Sequence, residues 1–144
     1  MKIKSKDLFS EEGINLLTKL FQSTGEGIML FNRKGETILV NPRAQEMFGY
    51  TESELLGEKV EKLVPREAKS GHEKQRDQYI KNPKPRWMGI GRDLAGLRKD
   101  GSTFPLEISL SYMEHEGEKI VIAFITDITV RKQNEAQLEA QRLQ

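Results

Sequence analysis

Two very short helices in immediate succession, just after a hairpin, constrain this chain more than any other feature. Asn41-Pro42 joins a strong N-cap residue to proline at the first helical position, and Gly49 stops the helix that follows. The spacing turns Ala44, Met47 and Phe48 inward. Thr51-Glu52-Ser53-Glu54 is a capping box, and its helix, through Leu55 and Leu56, ends at Gly57. Upstream, Ile28-Met29-Leu30-Phe31 and Thr37-Ile38-Leu39-Val40 flank the turn Asn32-Arg33-Lys34-Gly35, which predicts the hairpin.

On either side the signals are as directional. Ser10 precedes Glu11 and Glu12, and Ile14, Leu17 and Phe21 share one face, which predicts a helix from Glu11 to Gln22. Pro65 opens a polar helical segment from Arg66 to Lys81, closed by Pro83 and Pro85. Three strands are then expected, from Ile90 to Arg98, Phe104 to Met113 and Ile120 to Thr126, with turns at Lys99-Asp100-Gly101-Ser102 and Glu116-Gly117. Leu106, Ile108 and Leu110 alternate with Glu107 and Ser109, the pattern of a sheet with one buried face. A polar helix follows from Val130. The order predicts an α+β fold with one antiparallel sheet whose apolar face is covered by helices.

Composition narrows the functions open to such a fold. A chain of 144 residues, 36% hydrophobic, supports one core. Twenty-three basic against 22 acidic residues leave a net charge of +1, too little to draw a phosphate backbone or an anionic membrane. Cysteine is absent, which excludes disulfides, thiolate metal sites and thiol nucleophiles. No apolar run is long enough for a bilayer, and Met1 to Phe9 mixes lysine with polar residues, so a cytoplasmic segment without membrane contact is expected.

Particular words in this order resemble the PAS family of sensory domains. They are Glu26-Gly27-Ile28, Asn41-Pro42-Arg43-Ala44, Phe48-Gly49-Tyr50-Thr51 with Glu54-Leu55-Leu56-Gly57, Lys99-Asp100-Gly101-Ser102 with Phe104-Pro105, and Asp127-Ile128-Thr129. The resemblance implies a five-stranded antiparallel sheet with helices on one face, an N-terminal flank over residues 1–15, the domain over 16–129 and an exit helix over 130–144. It also implies a non-enzymatic input module of a larger receptor, a two-component sensor histidine kinase, with the effector C-terminal to this chain. Asp127 and Thr129, at the junction of last strand and exit helix, are expected to cap that helix and couple the domain to its output.

Within that family the tract from His72 to Gly89-Ile90-Gly91-Arg92 is similar in spacing to the haem domain of oxygen-sensing kinases. The resemblance implies His72 as axial iron ligand, Arg92 as hydrogen-bond donor to bound oxygen or a propionate, and Ile108 and Leu110 as the aliphatic residues above the haem. Trp87 stands where those haem domains carry a smaller aliphatic residue. The other reading of His72 is a structural or surface residue beside the polar run Glu73-Lys74-Gln75-Arg76-Asp77-Gln78, in a domain with no cofactor or another small ligand.

A ligand would lie between the sheet's inner face, read as Ile90, Ile108, Leu110, Ile122 and Phe124, and the helical middle with Leu63, Tyr79 and Ile80. Glu114, His115, Glu116 and Glu118 read as a solvated turn rather than a metal site, and Gly89-x-Gly91 lacks the context of a dinucleotide loop. No spacing suggests a catalytic nucleophile. The first helix carries more apolar residues than one packing stripe needs, so a homodimer through Ile14, Leu17, Phe21 and the outer sheet face is expected. Ala136, Ala140 and Leu143 form a sparse stripe on the exit helix.

Overall fold

The computed structural model describes residues 10–82, 86–88 and 94–143. Helix α1 (Glu11–Ser23) begins at Ser10, whose hydroxyl accepts the Gly13 amide at 3.1 Å, with Glu11 and Glu12 in the first turn favouring the helix dipole. Strands β1 (Gly27–Phe31) and β2 (Thr37–Val40) form the expected hairpin. Helix α2 (Pro42–Phe48) starts at Asn41 and stops at left-handed Gly49, with Ala44, Met47 and Phe48 buried as the spacing predicts. Helix α3 (Glu52–Leu55) carries both halves of the capping box. Two 3-10 turns, Val60–Leu63 and Arg66–Ala68, lead into α4 (Lys69–Lys81), so the segment expected to be helical from Arg66 becomes α-helical only at Lys69.

Strands β3 (Arg86–Met88) and β4 (Leu94–Leu97) lie one after the other along the same edge of β5 (Thr103–His115), which pairs with β6 (Glu118–Asp127) before α5 (Thr129–Arg142). Part of the strand expected from Ile90 to Arg98 falls on residues 89–93, outside the described ones. The strand order is β2-β1-β6-β5-β3, antiparallel throughout, so β3 and β4 together fill the fifth position of the sheet. β1 beside β6 closes the chain's two ends into one sheet, and the strands near Ile28, Ile38, Ile108 and Ile122 all belong to it.

Packing on the inner face explains where the small helices sit. Phe48 meets Phe104 edge-to-face at 5.3 Å between centroids. Gly96 lets them do so, because a Cβ there would stand 2.8 Å from Phe48, Phe104 and Leu106. Arg98 covers the Phe104 ring at 4.5 Å and donates to the Met47 carbonyl, tying β4 to the end of α2. Lys99 reaches Glu54 at 2.6 Å, and this hydrogen bond, with the Thr51 amide, pushes the Glu54 carboxyl down to about 2.

One expectation about the sheet is corrected here. Ile122 and Phe124 were read as inner-face residues, but Val121, Ala123 and Ile125 are the buried ones. The register decides it: Leu110 pairs with Ala123 and Ile108 with Ile125, and directly opposed residues share a face. Ile122 and Phe124 therefore lie on the outer face with their partners Leu30 and Ile28.

Candidate ligand cavity and exit junction

The helical middle stands off the sheet rather than closing onto it, leaving a cavity of about 660 Å³. Ile108, Leu110, Val121, Ala123 and Ile125 form its sheet wall, and Leu63, His72, Arg76, Tyr79 and Ile80 stand on the helical side. A largely apolar space of this volume with a few polar groups suits a drug-sized molecule.

Those polar groups are organised around Glu61. The 3-10 turn Val60–Leu63 presents its carboxylate to α4, where Oε2 lies 2.7 Å from His72 Nδ1 and Oε1 accepts from Arg76 Nη1. His72 and Arg76 reach the same carboxylate because residues four apart share a helix face. All three are largely buried, with 27%, 13% and 11% of the His72, Glu61 and Arg76 side chains exposed. His72 is thus a partly buried wall residue held by Glu61, rather than a fully solvated one. Neither Glu61 nor Arg76 was singled out from sequence; the i, i+4 spacing of His72 and Arg76 is the only signal that pointed there.

Of the other candidates, Ile108 and Leu110 stand in the cavity wall as expected. Arg92, Ile90 and the Gly89-x-Gly91 pair lie outside the described residues. His115 is exposed beside Glu116, and among the described residues no cluster of three or more His, Asp or Glu is placed to hold a metal. Asp127 and Thr129 are brought together at the exit junction, away from the cavity lining. Asp127 is not the N-cap itself, which is Ile128. Its Oδ1 instead accepts the Thr129 amide at 2.9 Å and the Thr129 hydroxyl at 2.5 Å.

A sheet of this order, short capped helices over its inner face and a cavity between them are the features a family comparison has to match. The family model described as PAS domain matches residues 25–130. The chain belongs to the PAS domain family. Among similar proteins, Sensor protein FixL of Bradyrhizobium diazoefficiens is 30% identical over 123 residues, covering 85% of this chain and 24% of that protein. Oxygen sensor protein DosP of Escherichia coli is 30% identical over 104 residues, covering 72% of this chain and 13% of that protein. The chain therefore spans a quarter or less of these relatives. The PAS domain of an HTR-like protein from Haloarcula marismortui superposes with a TM-score of 0.70 at 25% identity, covering 88% of this chain and all of that one. PAS domains are sensory modules, and this one is homologous to a part of FixL and of DosP. Among its described residues no helix is long and apolar enough to cross a membrane.

Proposed function

We propose that this PAS domain, residues 16–129, is the input module of a larger cytoplasmic receptor and that its cavity receives the signal molecule. The observation that carries this reading is the cavity of about 660 Å³ held open between α4 and the sheet, where a module without a ligand would pack closed. Helix α5 then leads to the effector, a histidine kinase in the reading favoured by the sequence. Asp127 and Thr129 couple the two.

His72 favours haem as the ligand. A neutral imidazole whose Nδ1–H is held by Glu61 presents Nε2 as its free nitrogen, the arrangement in which a carboxylate orients a metal-binding histidine. The apolar wall, with Ile108 and Leu110, fits a flat hydrophobic macrocycle. Iron bound there would supply reversible binding of a diatomic gas. His72 would supply the nitrogen that holds the iron, Glu61 would fix its ring, and Ile108 and Leu110 would exclude water. The similarity to FixL and to the oxygen sensor DosP supports the same reading.

Titrating the purified domain with hemin and, separately, with the apolar dye anilinonaphthalene sulfonate tests both levels. A Soret band that forms in wild type and is lost in His72→Ala is the expected result. Dye uptake without a Soret band removes haem and keeps a ligand cavity, whereas uptake of neither overturns the sensing site altogether.

The same receptor is proposed to be a homodimer, with α1 and the outer sheet face as its interface. Ile14, Leu17 and Leu20 are exposed on α1, each 46% or more, and Leu39 is exposed on β2. Phe21 is only half-exposed. Sedimentation should give a dimer for the wild-type domain and a monomer for Leu17→Glu with little change in melting. A wild-type monomer at tens of micromolar, on the order of the concentrations at which weak interfaces form, would remove this interface.

A further inference from the structure

The cavity-facing side of α4 is one continuous stripe. Gly71, His72, Gln75, Arg76 and Tyr79 all line the space, a spacing that keeps them on a single helix face. The two ends of the stripe differ. Tyr79 packs against the core, and the Ile80 carbonyl accepts from Lys119 Nζ at 3.3 Å, so β6 holds the C-terminal end down. At the other end Gly71 and Gln75 are exposed as well as lining the cavity, as are Glu67, Ala68 and Ala95. The mouth of the cavity therefore opens beside the first half of α4.

Glycine is, after proline, the least favourable residue inside a helix, and a local need normally explains one there. Neither usual need applies to Gly71. Its φ is not positive, unlike those of Gly35 and Gly49. A Cβ there would stand in open space, with no heavy atom of a described residue within 4 Å, its chain neighbours and its own helix backbone aside. Gly96, by contrast, is required by Phe48, Phe104 and Leu106 at 2.8 Å. What glycine provides at 71 is room at the mouth of the cavity, next to His72.

Resting on the reading of the cavity as the ligand site, we propose that Gly71 determines specificity there: the ligand reaches past His72 and lies directly on the bare α4 backbone at Gly71. A slender chain bends round a methyl group, and only a broad rigid body needs the backbone cleared. The ligand class is accordingly a rigid apolar ring system.

The chain has no cysteine, so Gly71→Cys carries its only thiol and reports contact directly. The probes are anilinonaphthalene sulfonate and protoporphyrin without iron, which brings no metal for His72 to hold. Whichever of them wild type binds should, at saturation, slow alkylation of Gly71→Cys about fivefold or more. Alkylation of Glu73→Cys, exposed two residues on and so on the opposite face of α4, should be unchanged. Gly71→Leu should bind that probe about tenfold more weakly, while Glu73→Leu stays within about twofold of wild type. Gly71→Ala should raise the melting midpoint by about 2–4 °C, as for any unstrained helical glycine, and still weaken binding. An unprotected thiol at 71, equal protection at 71 and 73, or a Gly71→Leu affinity within about twofold of wild type would overturn the assignment and leave the ligand cavity standing. Decanol should bind more weakly than the ring compounds, and an equal affinity would overturn the ring class. Binding of neither ring compound by wild type would remove the cavity reading and this role together. If Gly71→Leu does not fold, thiol protection and Gly71→Ala still decide.

Discussion

Replacing Asn41 by alanine is expected to cost roughly 4 kcal/mol and to lower the thermal midpoint by roughly 10–15 °C, several times the effect of losing an ordinary helix cap. The side chain is fully buried and uses all of its hydrogen-bonding capacity. Oδ1 accepts the amides of Ile28 at 2.8 Å and Ala44 at 3.0 Å, and Nδ2 donates to the carbonyls of Phe21 at 3.1 Å and Glu26 at 3.0 Å. One residue thereby joins the end of α1, the entry to β1 and the start of α2. Alanine leaves four backbone groups without this partner, in a place where water enters poorly. Asn41→Ser should recover only the cap to Ala44, about 1 kcal/mol. Denaturant melts of the three proteins check it. A loss near 1 kcal/mol in Asn41→Ala would mean that the three-way junction has no importance beyond the cap.

Asp127→Ala in the full receptor is expected to disconnect output from input while the domain stays folded. The loss of stability should be about 1 kcal/mol, since the hydrogen bonds it accepts from the Thr129 amide and hydroxyl are removed. The geometry argues for coupling rather than simple capping. Asp127 is directly opposite Leu106 in the β5–β6 ladder, and Leu106 lines the cavity. Around the same point, the Ile128 amide donates to the Pro105 carbonyl at 3.1 Å, and Arg131 pairs with Glu107 at 2.5 Å. Residues 105–107 thus meet the ligand space on one side and the first turn of α5 on the other. Thr129→Ala should have the smaller effect, because it removes the hydroxyl bond and keeps the amide bond to Asp127. Output is read as the ratio of effector activity with and without signal. A ratio unchanged in both variants would leave Asp127 as an N-terminal turn residue with no part in signalling.

Much of the local structure was legible because its causes are local. Ser10, Asn41-Pro42 and the Thr51–Glu54 box start their helices through bonds spanning three residues, and left-handed Gly49 ends α2 for want of a Cβ. The turn at Glu116-Gly117 was legible in the same way, both residues adopting positive φ between β5 and β6. From such elements the antiparallel α+β order followed, and with it the family.

Contacts made across many residues were not legible. Ile120 to Ile125 is apolar on both faces, so alternation carried no phase, and only pairing of Leu110 with Ala123 turned Val121, Ala123 and Ile125 inward. His72 could be read as ligand or as solvated helix residue until Glu61, on a separate 3-10 turn, was found beside it. The sequence by itself determined most of the elements and their order, since caps, turns and periodicity act within a few residues, but not β3 at Arg86–Met88 or the 3-10 turn Val60–Leu63. Tertiary structure decided which side of β6 faces the core, which carboxylate holds His72 and Arg76, and that a cavity remains between them, because burial and pairing of distant residues exist only once the elements have packed.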